Sequence, residues 1–260
     1  MRAAILTRWW RGFGFLLLAV FTLGSFAYGQ FELPDEIFQR TLLIRYEGHQ
    51  ATGFKFDQDG RVYVVTTGRF AKLLPKTAAT IQLWHQEVWN DFPTLRTLFP
   101  ATEDVDLAVL ETSQRIIAPY KVIKSSETLT TGQRVWIMGK RGAIRLPTLP
   151  ANVPKTQRPM FPDIPWVKLG IVTDIRPAQP DAYTITFQGY SDPQLGGGPI
   201  VYWSPVHRDY EILGVIKGGD PNATPPPNAA RAVAESPKTS VLHGYSIDYV
   251  TDTIRDSGQP

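Results

Sequence analysis

The residues best placed for chemistry surround Gln194-Leu195-Gly196-Gly197-Gly198-Pro199-Ile200, a glycine triplet that runs into the apolar segment Ile200-Val201-Tyr202-Trp203. Glycines at the mouth of a strand let backbone amides come close to a ligand, the usual way to hold an anion or a developing oxyanion. The run lacks the Lys-Ser/Thr of a phosphate-binding loop and is not followed by a helical pattern. Hydrolysis would need a nucleophile with a base at hydrogen-bond distance. The available serines are Ser191, before the triplet, and Ser204, beyond the strand. The histidines are His49, His85, His207 and His243, none of them paired at metal-binding spacing. Cysteine is absent, so a zinc site has no support in the sequence, and none is expected. Asp104 and Asp106 can be read as a metal pair, but a strand-edge acid beside an orienting acid is the plainer reading.

The elements that must carry these residues read as strands. Gly53–Phe56 and Arg61–Thr66 flank Asp59-Gly60, a hairpin turn signal between β-branched and aromatic residues. Further strands are expected at Leu42–Tyr46, Thr80–His85 and Leu107–Glu111, then around Thr130–Gly139, Gly170–Ile175, Tyr183–Phe187 and Ile212–Gly219. Arg145–Trp166 is too rich in proline to be a strand, since each proline lacks an amide donor. Trp84, Trp89, Trp136 and Trp203 have apolar neighbours and are expected in the core, with Trp166 as the exposed tryptophan. Asp220–Pro237, with Pro225-Pro226-Pro227, reads as an irregular excursion. Ser246 or Asp248 is placed to cap a C-terminal helix over about 246–256.

In order and spacing these segments resemble the trypsin-like (chymotrypsin-fold) serine proteases of bacterial type. The family's nucleophile loop, Gly-x-Ser-Gly-Gly-Pro, is similar to the run ending Gly197-Gly198-Pro199, with Gly196 at the serine position. The family's histidine follows a hairpin similar to Gly53–Thr67, and that position is Arg69. Asp104-Val105-Asp106-Leu107-Ala108-Val109-Leu110 resembles the segment whose aspartate orients the histidine, and Asp106 matches that aspartate. The resemblance further implies oxyanion-hole positions at Gln194 and Gly196, a specificity-pocket position at Tyr190, and a peptide-binding strand at Lys217-Gly218-Gly219. It also implies the fold class: all-β, two six-stranded antiparallel β-barrels with a short C-terminal helix. The first barrel would span about 36–117, a linker 118–132 and the second barrel about 133–241.

Residues 1–29 read as a secretory signal peptide, with Arg2, Arg8 and Arg11 before an apolar run and Ala27-Tyr28-Gly29 at the cleavage site. The trypsin-like domain is then expected over 30–260, in the periplasm or outside the cell. An N-terminally anchored form is the alternative, because the uncharged run is marginal for a bilayer span. The formal charge of +3 comes from those three arginines; the remainder carries 24 basic and 24 acidic residues (27 − 3 against 24), giving nucleic acid no basic surface to bind. A chain without cysteine must be held by its own core, and a 43% hydrophobic content is enough to form one.

Arginine keeps its proton at any working pH and cannot act as a base, and glycine has no side chain to attack with. The reading is therefore an exported trypsin-like protease homologue that is catalytically inactive and serves as a peptide- or protein-binding or scaffold domain, without a cofactor. An active serine endopeptidase with a rearranged site is the alternative. An ion pair between Arg69 and Asp106 is expected, with Lys217 as a second cation facing Asp106.

Overall fold

The computed structural model describes residues 33, 35–85, 88–102, 104–113, 120–121, 129–140, 165–176, 179, 181–188, 195–218 and 239–258. The expected signal segment, Tyr190, Gln194, Gly219 and most of the proline-rich stretch from Arg145 lie outside them. The chain divides into residues 1–37 and a compact unit, Phe38–Pro260, described below.

Six strands close a first antiparallel ring: β1 (Thr41–Tyr46), β2 (His49–Gln58), β3 (Arg61–Thr66), β4 (Ala79–His85), β5 (Val88–Leu98) and β6 (Ala108–Thr112). A short strand, β7 (Tyr120–Lys121), adds to the ring parallel to β2. Two hairpin turns start the sheet: Glu47-Gly48 joins β1 to β2, and the expected Asp59-Gly60 joins β2 to β3. All four residues have positive φ, the backbone that matches the twist of paired strands.

Alternation along the strands turns Leu42, Ile44, Val64, Ile81, Leu83 and Leu110 into the ring. On β3 the opposite face, Tyr63 and Val65, is buried as well, which is why the strand reads as a continuous apolar run. β5 is the strand missing from the sequence reading. Asn90, Asp91 and Pro93 argue against it, yet Pro93 sits where only β4 flanks the strand, because pairing with β6 begins at Thr94. There one side of the strand has no partner, and a missing amide is more easily accommodated than between two ladders.

The second ring is a closed barrel of β8 (Arg134–Lys140), β9 (Pro165–Ile175), β10 (Tyr183–Gln188), β11 (Pro199–Ser204), β12 (Asp209–Ile216) and β13 (Thr239–Ser246). Its interior holds Val135, Ile137, Val172, Ile185, Ile200, Leu213 and Leu242. The tryptophan expectation is reversed here. Trp166 begins β9 and is buried edge-on against Phe187 at 5.6 Å. Trp203 points outward, 39% exposed, while Trp84, Trp89 and Trp136 are half-buried. Barrel direction, not the neighbouring residues in sequence, decides which tryptophan faces inward.

The C-terminal helix runs Asp248–Ser257. Its N-cap is Ile247, without a side-chain cap bond. Ser246, one residue earlier, accepts the Asp248 amide at 3.2 Å instead. The far end of the helix is held by the first barrel: Arg96 on β5 donates to the Ser257 carbonyl at 3.1 Å and also pairs with Glu111 on β6. Among the described residues no helix is long and apolar enough to cross a membrane.

Candidate functional site

Arg69 sits on a single helical turn, Gly68–Ala71, directly after β3. Thr67 starts the turn, its hydroxyl accepting the Phe70 amide. Asp106 lies on the approach to β6, the neighbour of β3, so the first barrel sets the two side by side. The Arg69 backbone amide donates to Asp106 Oδ1 at 2.7 Å, and Arg69 Nε donates to Oδ2 at 2.8 Å. Both carboxylate oxygens are thus occupied by one residue. The Asp106 amide in turn donates to the hydroxyl of Tyr245 at 3.1 Å. Tyr245 is fully buried, and that burial, ahead of the nearby charges, pushes its hydroxyl up to about 12.

Lys217 does not join this pair. Its ammonium donates to both oxygens of Asp181, at 2.8 and 2.9 Å. Its amide donates to the carbonyl of His243 at 2.9 Å, extending the β12–β13 ladder. A second carboxylate in reach satisfies the cation, so among the described residues Asp106 is ion-paired with Arg69 and not with Lys217. The next residue, Gly218, is the one that lies against the Arg69–Asp106 pair: a Cβ there would collide with the guanidinium and stand 3.2 Å from Asp106 Oδ2.

Gly196 occupies the turn that feeds β11. The Gly197 amide donates to Ile216 at 2.9 Å, and the Ile216 amide donates to Gly198 at 2.8 Å, fixing this turn to the end of β12. Leu195, in the interior of the second barrel, anchors its other side. A Cβ added at Gly196 would collide with Cα of Gly218, and stands 3.0 Å from the Gly218 nitrogen and 3.1 Å from Thr67 Cγ2. The structure therefore brings Arg69, Asp106, Gly196, Lys217 and Gly218 into one region. Tyr190, Gln194 and Gly219 fall outside the described residues, so the specificity pocket and one of the two oxyanion positions are not part of this geometry.

Beside Arg69 an open groove of about 810 Å³ is lined by Lys72, Phe99, Pro100, Asp104, Asp106 and Tyr245, among others. Among the described residues no three His, Cys, Asp or Glu side chains are grouped to hold a metal ion. His49 is an exposed strand-end residue, His85 is exposed on β4, and His243 meets Thr184 at 3.4 Å.

A second polar cluster was only partly anticipated. At the β11–β12 hairpin, His207 Nδ1 lies 3.3 Å from Ser204 Oγ and also meets Glu211 Oε1, while Tyr202 donates to Glu211 Oε2 at 2.6 Å. A serine, an imidazole and a carboxylate are all present. Both oxygen partners, however, meet the same ring nitrogen. One nitrogen cannot donate a proton to the glutamate and accept one from the serine, so the relay of a hydrolytic triad is not formed. Ser204 is also buried, 2% exposed. The cluster satisfies a buried carboxylate at a tight turn.

No known family's sequence profile matches the chain, and no curated protein matches it in sequence. Its resemblances are to solved structures. The MamO protease domain from Magnetospirillum magneticum superposes with a TM-score of 0.50 at 15% identity, over 85% of this chain and 98% of that one. The chain has the chymotrypsin-type fold. Rv3671c from M. tuberculosis H37Rv is a weaker match, with a TM-score of 0.46 at 14% identity, over 86% of this chain and 89% of that one. At such identities the likeness is one of fold, and the roles of Arg69, Asp106 and Gly196 must be argued from their own chemistry.

Proposed function

We propose that this chain is an exported homologue of the trypsin-like proteases that does not hydrolyse peptides and acts as a peptide- or protein-binding or scaffold domain. The observation that carries the reading is the occupation of Asp106. Its two oxygens accept from the amide and the guanidinium of Arg69, so the side chain seated on this carboxylate is a permanent cation and not an imidazole. Guanidinium takes no proton from a nucleophile. At Gly196 there is no hydroxyl, and the Gly218 backbone fills the space one would need. In the subtilisin series in which this was measured, losing the serine or the histidine alone costs about as much rate as losing the whole triad, roughly 10⁶-fold. The charged N-terminus followed by an apolar run supports export.

Binding by strand addition needs only backbone groups. The Lys217 amide is already taken by His243, so a peptide strand would pair with backbone groups further along, from Gly218 onward. The test is turnover of a broad peptide library by residues 30–260. The expected rate is background. Hydrolysis that disappears on changing a single serine would overturn the reading.

The competing reading, an active endopeptidase with a rearranged site, draws on the Ser204–His207–Glu211 cluster. The shared Nδ1 and the burial of Ser204 weigh against it. A fluorophosphonate probe decides it: labelling lost on Ser204→Ala would favour that reading.

A further inference from the structure

Arg69 and Gly196 have a close neighbour in common. The nearest atoms to a Cβ at Gly196 belong to Gly218 and Thr67. The nearest atom to a Cβ at Gly218 is the tip of the Arg69 guanidinium, followed by Asp106 Oδ2. Gly218 is thus packed with its backbone against Gly196 on one side and its missing side chain against Arg69 on the other. Asp106 tethers the guanidinium at Nε and accepts from the backbone amide of the same residue as well, so swinging aside means giving up that bond. Gly218 is not free to slide either. The preceding residue is fixed through its ammonium on Asp181 and its amide on the His243 carbonyl.

We infer that Arg69, Gly218 and Gly196 form one steric interlock that keeps the former nucleophile position closed. The guanidinium, seated on Asp106, sets how far the Gly218 backbone can retreat. That backbone occupies the space a side chain at position 196 requires. The arginine and the two glycines are then mutually dependent, and the missing serine is a packing requirement of the arginine. Putting a hydroxyl back at 196 forces Gly218 toward the guanidinium, which must shift from its seat on Asp106 to make room. The interlock holds whether or not the domain binds a peptide, because it concerns packing within the chain and no ligand.

The test is coupling between Arg69 and the two glycines, read by thermal unfolding of the 30–260 protein. Overpacking of this kind lowers Tm by roughly 2–10 °C in a domain of this size. Gly196→Ala in the parent is expected to show such a loss, and to show less than half of it in an Arg69→Ala background, where Gly218 can retreat. Gly218→Ala is the milder probe, since its closest contact is the far end of the Arg69 side chain, with Asp106 Oδ2 next at 3.2 Å. Its loss is expected to fall by more than half when Arg69→Ala is present. Gly198→Ala serves as the control: its Cβ collides with the Met138 carbonyl, away from Arg69, so its loss is expected to be the same in both backgrounds. Equal losses for Gly218→Ala with and without Arg69 overturn the interlock, even if Gly196→Ala folds in neither background. Equal relief of Gly198→Ala overturns it too, because the effect of Arg69→Ala would then be general. Neither result bears on peptide turnover, so a failure here is distinct from a failure of the binding reading.

Discussion

Two polar clusters in this molecule make opposite use of the same kinds of residue. The Asp106 cluster sits at positions where the sequence resemblance expects catalysis, and Arg69 and Gly196 supply neither a base nor a nucleophile there. The cluster at the β11–β12 hairpin has a serine, a histidine and a glutamate within contact, but they converge on one ring nitrogen. One cluster lacks the residue types of a hydrolytic triad and the other lacks its geometry. Which atoms meet, and with how many free lone pairs and protons, separates a hydrolytic site from a structural cluster.

The comparison can be sharpened by removing one member from each cluster, beginning with the larger effect. Glu211 is 1% exposed and holds both Tyr202 and His207. Glu211→Ala strands a buried hydroxyl and is expected to cost about 2–4 kcal/mol in urea unfolding. A cost under about 1 kcal/mol would mean that the hairpin cluster is not structural after all.

Tyr245→Phe comes next, at about 1–3 kcal/mol, because it leaves the Asp106 amide without its acceptor. This variant also has a pH signature. Burial raises the Tyr245 hydroxyl from 10.0 to about 12, so the folded protein keeps a proton that the unfolded chain releases. The resulting stability is present in full below about pH 10 and is lost as pH rises from there toward 12. The gap between parent and Tyr245→Phe should therefore narrow over that window. A constant gap would show that the Tyr245 proton does not contribute.

The smallest effect is expected from Arg69→Ala. Its side chain is 40% exposed, and the backbone amide that also holds Asp106 survives the substitution. Solvent screening leaves such a pair worth about 0–1 kcal/mol. A loss of several kcal/mol would place the Asp106 cluster on the same footing as the Glu211 cluster and erase the contrast.

Much of the frame was legible in sequence because local signals and strand periodicity agree. Asp59-Gly60 sets a turn whose flanking strands alternate correctly, and the approach of Arg69 to Asp106 follows once β3 and β6 are neighbours. β5 escaped notice because its polar residues and Pro93 fit a strand flanked on one side only at that point, which is a property of the sheet. Trp166 escaped for a similar reason, since a proline-rich approach gives no hint that β9 begins there with its side chain inward. The partner of Lys217 was misread because a long ammonium chain selects among carboxylates by reach. Asp181 stands far from Lys217 in sequence and next to it across the barrel. The tight space at Gly196 had no sequence signal beyond the glycines themselves, because the nearness of the Gly218 backbone to a side chain at 196 appears only in three dimensions.

The bond from Arg96 to the Ser257 carbonyl imposes an order in time. A chain made from its N-terminus completes β1 through β6 well before the residues that close over β5 have been synthesised. During that interval the first barrel exists without its last covering element, and contacts of such long sequence separation are slow to form. The final helical turn therefore acts as a late checkpoint for the earliest domain half. A chain stopped short of Ser257 should retain both sets of strands and still leave the first barrel open to aggregation.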